Sequence, residues 1–137
     1  MNLYHLSLDK LKSNIMIHRI PHCAIPSSYE DMKTKRICFS TSINGALSSL
    51  QGDYGIYYVY RPKDIDMVEL YKPTTYQVFD VDVTNELWVL NDIEVECIGT
   101  IFNKGIIYST IFPMPMDDND TFTHRLCDWE WLDCYII

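Results

Sequence analysis

Three hydroxyl residues stand together where an apolar run ends: Ile37-Cys38-Phe39 leads straight into Ser40-Thr41-Ser42, and a helix-like stretch follows. Two other polar groups sit in comparable places. His5 and Ser7 lie on a short strand-like piece near the start, and Glu86 opens the apolar segment Leu87-Trp88-Val89-Leu90. Histidine, hydroxyl and carboxylate all hydrogen-bond polar ligands, so the three places are candidates for one site. Each also has a plain structural reading. Ser42 can cap the following helix, His5 can be a packed strand residue, and Glu86 can be a surface acid. A metal site is a poorer reading. His18, His22 and Cys23 are close in sequence, but Pro21 interrupts any helical spacing and no second ligand pair follows, so no metal is expected.

Charge is divided unevenly along the 137 residues. Residues 1–63 carry eight Lys and Arg against four Asp and Glu, a net of +4; residues 64–137 carry three against fifteen, a net of −12, and the whole is −8. An acidic total disfavours binding along a nucleic-acid backbone, which draws on clustered Lys and Arg. The basic first half is still able to hold a small anionic ligand. Five cysteines without a CxxC pair argue against a secreted disulfide framework, and a reducing cytoplasm fits them best. No apolar run approaches the roughly 20 residues that span a bilayer, so no membrane is expected as a partner. At this length and 47% apolar content the chain suits one domain, residues 1–137.

The elements that would position these groups are mostly strands. Asn2 to Ser7 alternates loosely and reads as a first strand, followed by a long connection from Leu8 to Lys35 in which Leu8 to Asn14 can form a helical turn. Arg36 to Phe39 is a second strand, and Ser42 caps a helix over Ile43 to Gln51 that Gly52-Asp53 closes. Tyr54 to Arg61 is a third strand, stopped by Pro62. Gln77 to Val83 alternates Phe79, Val81 and Val83 with Asp80 and Asp82, the period of a half-wet strand. Leu87 to Leu90, Val95 to Ile101 and Ile106 to Phe112 are further strands, the last two joined by a hairpin-like turn at Asn103-Lys104-Gly105. Residues 113–137 read as an acidic linker and helix. Asp117-Asp118-Asn119-Asp120 precedes Phe122, Leu126 and Trp129 at helical spacing, with Pro113-Met114-Pro115-Met116 as the linker.

The order of His5 with Ser7, then Phe39-Ser40-Thr41-Ser42, then Glu86 resembles the ADP-ribosyltransferase superfamily over roughly residues 2–101. In that family a first-strand histidine or arginine, a second-strand Ser-Thr-Ser or tyrosine motif and a fifth-strand glutamate form one site. The resemblance implies an α+β fold with a mixed, mostly antiparallel split sheet of ADP-ribosyltransferase type and few helices. It also implies NAD as substrate or ligand. Glu86 would be the catalytic carboxylate beside a ribose that develops oxocarbenium-like charge. His5 would bond the other ribose, and Ser40, with Thr41 and Ser42, would shape the nicotinamide pocket. Ser7 and Tyr58 would add to the cofactor site, and Arg19 or Arg36 would meet the pyrophosphate with a guanidinium fork.

Two departures bear on the activity. Arginine-modifying members carry a second acid two residues before the glutamate, and this chain has Thr84 there, so transfer to arginine is not expected. Glu94 and Glu96 form an acid-x-acid pair, but one strand late. The first-strand histidine normally accompanies a second-strand tyrosine; Tyr57, Tyr58 and Tyr60 would supply the missing aromatic wall. Three functions therefore stand. One is an NAD-dependent transferase acting on a host macromolecule, or an NAD glycohydrolase. Another is a non-catalytic, phage-encoded anti-defence protein that sequesters an NAD-derived or cyclic nucleotide signal. The third is an acidic inhibitor that docks on a basic host protein through its C-terminal acids with Trp129 and Trp131.

Overall fold

The computed structural model describes residues 1–21, 30–50, 53–115 and 117–135. In chain order the elements are β1 (His5–Ser7), β2 (Ile15–Met16), β3 (Ile37–Ser40), α1 (Ile43–Ser49), β4 (Gly55–Pro62), a 3-10 turn (Ile65–Met67), α2 (Val81–Thr84), β5 (Glu86–Val89), β6 (Ile93–Met114) and β7 (Asp117–Cys134). The fold is α+β, with antiparallel strands dominating and two short helices. One sheet runs β1-β4-β6-β2 with β7 also paired to β6; a second, two-stranded sheet pairs β3 with β5. A bridge from Tyr4, next to β1, to Ser40 of β3 joins the two sheets.

The order of burial explains why α1 lies where it does. Ala46 and Leu47 on one side of α1 pack with Leu6, Tyr57, Val59, Ile98, Ile101 and Cys127, so the helix closes the face of the β1-β4-β6-β7 sheet. The helix starts as expected, with Ser42 Oγ accepting from the Gly45 amide at 2.9 Å. A second cluster of Leu3, Met16, Ile37, Phe39, Tyr60, Val89 and Val95 seals the seam between the two sheets.

Four sequence expectations fail, each for a traceable reason. Gln77 to Val83 is not a strand: Val78 makes one bridge to Glu30, and Val81–Thr84 is a single helical turn. Asn85 ends that turn in the left-handed region at φ 54°, which asparagine tolerates better than most residues, and turns the chain into β5. Asn103-Lys104-Gly105 is not a hairpin, because β6 runs through it with a bulge opposite Trp129 and Asp128. The reversal falls later, between Met114 and Asp117, inside the stretch read as a linker. The expected C-terminal helix is strand β7. Phe122, Leu126 and Trp129 do have helical spacing, but Cys127, Trp129 and Trp131 alternate with the exposed Asp128, Glu130 and Leu132, and pairing with β6 selects that period of two. Leu8 to Asn14 forms bends and no helical turn. The expected helix end at Gln51 and Gly52, and the residues His22, Cys23 and Met116, lie outside the described residues.

Candidate functional site

Ser40 and Glu86 face each other directly across β3 and β5. Opposite residues of an antiparallel pair project to the same side, as do residues two apart, so Ser40, Glu86, Cys38 and Trp88 share one face. That face is closed. Ser40 Oγ donates to the Thr84 carbonyl at 2.6 Å, satisfying a carbonyl at the end of α2 that the helix leaves unpaired. Gly45 of α1 is pressed against the same spot: a Cβ there would lie 2.4 Å from both Ser40 Oγ and the Thr84 carbonyl oxygen and 2.9 Å from Ser42 Oγ. The hydroxyl junction therefore fastens α1 to α2. Ser42 caps, Ser40 bridges, and the half-buried Thr41 lies between them.

Glu86 is 8% exposed, and its Oε2 accepts from the Trp88 indole N–H at 2.9 Å. Burial pushes its carboxyl up to about 7, against the opposing pull of the Trp88 hydrogen bond and the Arg36 charge. Asp80, nearby, is raised by burial to about 6. Arg36 is the cation of this layer, yet it is 3% exposed. One terminal nitrogen donates to the Asp31 and Thr34 carbonyls, both at 2.8 Å, and the guanidinium lies 4.2 Å from the centre of the Trp88 ring. Tyr71 also stacks on Trp88, with ring centres 5.7 Å apart.

His5 is elsewhere. Tyr4 pairs with Ser40, so the next residue along β1 projects to the opposite side, and His5 indeed sits edge-on to Phe39 with ring centres 6.0 Å apart. Its Nδ1–H donates to the Cys38 carbonyl at 2.8 Å. Burial, with a smaller contribution from the Arg19 charge, holds its basicity below the ordinary histidine value. Arg19 pairs by backbone with Arg36, but its side chain is exposed. Ser7 donates to the Asp9 carbonyl at 2.7 Å in a local turn and lies opposite Tyr58 on β4. Of the sequence-derived site, the fold brings Ser40, Glu86 and Arg36 into one layer, with Thr41 and Ser42 leading from Ser40 into α1; it sets His5 on the other face and Ser7 farther along β1, opposite Tyr58 of β4.

The remaining candidates have structural partners. Tyr57 O–H donates to the Asp53 carbonyl, and Tyr60 oxygen accepts from the Leu11 amide. Glu96 and Glu94 pair with Arg61 and Lys63 at 2.7 and 3.0 Å. His18 bonds Asp92. Among the described residues no group of three or more His, Cys, Asp or Glu side chains is arranged to hold a metal, and no helix is long and apolar enough to cross a membrane.

A different region is open. From Lys104 onward β6 has left β4 behind and continues with β7 alone as a two-stranded ribbon. Ile107, Tyr108 and Ile111 are 61%, 59% and 69% exposed on it. The acids Asp117, Asp118 and Asp120 lie exposed just past the reversal. The ribbon is anchored at Phe112, which stacks on Phe122, and Phe79 meets Phe122 edge-on. The sequence signal for this site is the uncharged, β-branched and aromatic run Ile106 to Phe112, which on its own has the look of an ordinary strand.

Compared with known proteins, the chain matches no family model, no curated protein and no solved structure.

Proposed function

We propose that this protein works by binding another protein, using the β6–β7 ribbon as an acidic arm that docks on a basic surface. The observation that carries the reading is the exposed Ile107, Tyr108 and Ile111 on β6, with the exposed Asp117, Asp118 and Asp120 just past the reversal of the same ribbon. Large apolar side chains clustered in the open mark interaction surfaces, and acids around them select a basic partner and speed the encounter. Trp129 and Trp131 serve the arm from below, half-buried against the core under α1, and so stiffen its base. The test is photocrosslinking from position 111 in the full chain, followed by titration of the partner so identified. Binding should weaken as salt rises, survive in Glu86→Gln and be lost in the double variant Ile107→Ser, Ile111→Ser. A partner held equally well by that double variant refutes the reading.

A second reading keeps the NAD or nucleotide site, and one observation favours it: Ser40 and Glu86 are direct cross-strand partners in the chain order of the ADP-ribosyltransferase motifs. It requires the layer around Trp88 to open, because stabilising a sugar cation needs an ionised, accessible carboxylate. Nicotinamide release from NAD by the wild type, abolished in Glu86→Gln with ligand affinity retained, would establish a transferase or glycohydrolase; retention of a nucleotide without release would establish a sponge.

A further inference from the structure

The two edges of the β6–β7 ribbon are treated differently. An edge strand offers unpaired backbone donors and acceptors, and folded proteins commonly cover or guard such rows. On β7 the edge is covered where α1 passes, at Arg125 and Cys127. The Asn44 side-chain amide donates to the Arg125 carbonyl at 3.2 Å and accepts from the Cys127 amide at 2.9 Å, and Ser48 Oγ accepts from the Arg125 amide at 3.3 Å. Two side chains of α1 thus stand in for a neighbouring strand.

On β6 the other edge loses its partner. The β4 ladder ends where Gly55 meets Asn103, and among the described residues no strand continues on that side of β6 from Lys104 to Met114. The usual guards are sparse. Residues 105–112, Gly-Ile-Ile-Tyr-Ser-Thr-Ile-Phe, hold no charge; Pro113 comes only at the far end, and the irregularities fall outside the stretch from Tyr108 to Phe112, before Tyr108 and after Pro113. Between Tyr108 and Phe112 the pairing with β7 is regular, so the backbone is already straightened and its spare groups are aligned.

Building on the docking reading, we propose that the open β6 edge from Tyr108 to Phe112 is a strand-addition site that takes an extended segment of a partner protein bearing Lys or Arg among apolar residues. Backbone hydrogen bonds supply the attachment, and alternate apolar side chains cover Ile111. Charge decides against a second copy of this ribbon as occupant. Residues 104–134 carry Asp117, Asp118, Asp120, Asp128, Glu130 and Asp133 against Lys104 and Arg125. Lys104 is already paired with Glu130 at 3.3 Å. The β7 residues opposite Tyr108 to Phe112 run from Leu126 to Phe122 with Arg125 among them, and the acids flank that stretch, Asp128 opposite Gly105 on one side and Asp120, Asp118 and Asp117 past Thr121 on the other, so the Lys or Arg of an added strand belong at its two ends, where these acids lie.

The experiment uses the full chain with three synthetic peptides of equal charge, watched by NMR-detected amide exchange. One alternates Lys and Val and is extended; its twin is N-methylated at every second residue; the third is a helical Lys/Ala peptide. The extended peptide should bind, slow exchange of amides between Tyr108 and Phe112, and weaken as salt rises. Its N-methylated twin should bind about tenfold more weakly or worse, since several main-chain donors are gone. Equal binding by all three overturns strand addition while leaving acidic docking intact. No binding by any of them overturns both. Protection of the same amides in the peptide-free protein, growing with protein concentration and accompanied by dimers, assigns the edge to a second copy and overturns the basic partner.

Discussion

The layer around Trp88 and the β6–β7 ribbon use the same kinds of residues to opposite ends. Both combine acids with aromatic and β-branched side chains. In the Trp88 layer three polar side chains are turned inward: Ser40 onto Thr84, Glu86 onto Trp88, and Arg36 onto the Asp31 and Thr34 carbonyls. In the ribbon the acids and the isoleucines face water. Residue type alone therefore does not mark a site. What separates the two regions is whether a second layer covers them: α1, α2 and the 30–36 segment close over β3 and β5, whereas β6 outruns β4 and leaves Ile107, Tyr108 and Ile111 exposed.

The sharpest way to break this comparison is to remove the indole that organises the closed layer. Trp88→Ala takes away a fully buried ring, the surface under Arg36 and the donor to Glu86. A loss of about 4 kcal/mol in urea-induced unfolding is expected, in the range for large buried aromatics. A loss below about 1 kcal/mol would mean that the layer is loosely packed and open to a ligand.

A pH titration comes next in size. Folded Glu86 holds its proton up to about 7, while an ordinary glutamate releases it near 4.5, so between those values the folded state binds more protons than the unfolded. The stability linked to this group is full below about 4.5 and is lost as pH rises through about 7, for a total of about 3 kcal/mol. Asp80, raised to about 6, acts in the same direction. Glu86→Gln should therefore gain on the wild type as pH rises to 8 in denaturation curves. An identical pH dependence in the two proteins would place Glu86 in water and revive its catalytic reading.

Gly45→Ala tests the hydroxyl junction. The added methyl meets a backbone oxygen of Thr84, which cannot swing aside as a side chain would, and the gain in helix propensity offsets the clash only in part. A loss of about 2 kcal/mol is expected from the unfolding midpoint. The smallest effect belongs to the ribbon: Ile111→Ser should shift stability by no more than about 0.5 kcal/mol, because the side chain is 69% exposed. A larger loss would mean that this face is covered in the protein itself.

Much of the organisation was legible in the residues. Ser42 before Ile43 reads as a helix cap, and it caps. Tyr54 to Arg61 reads as a strand and becomes β4, one residue displaced at each end. The apolar run after Glu86 becomes β5. These are local matters, decided by turn chemistry and side-chain period within a few residues. The same local reasoning failed at Phe122, Leu126 and Trp129, where two periods coexist in one stretch and neither is stronger on its own. Only the presence of β6 as a neighbour, offering a ladder of backbone hydrogen bonds, chose the strand.

The sequence by itself determined the cap at Ser42 and the strands at β4 and β5, and it placed the negative charge in the second half. Tertiary structure decided which polar groups reach water. Ser40 and Glu86 read as a site because each stands at the end or start of a strand; their exposure depends on α1 and α2 arriving from elsewhere, with Gly45 allowing the approach. Ile107 and Ile111 read as strand residues, within Ile106 to Phe112. They lie open because β4 stops pairing at Gly55 while β6 continues to Met114, and that difference in reach belongs to the pairing of two strands, not to either strand alone.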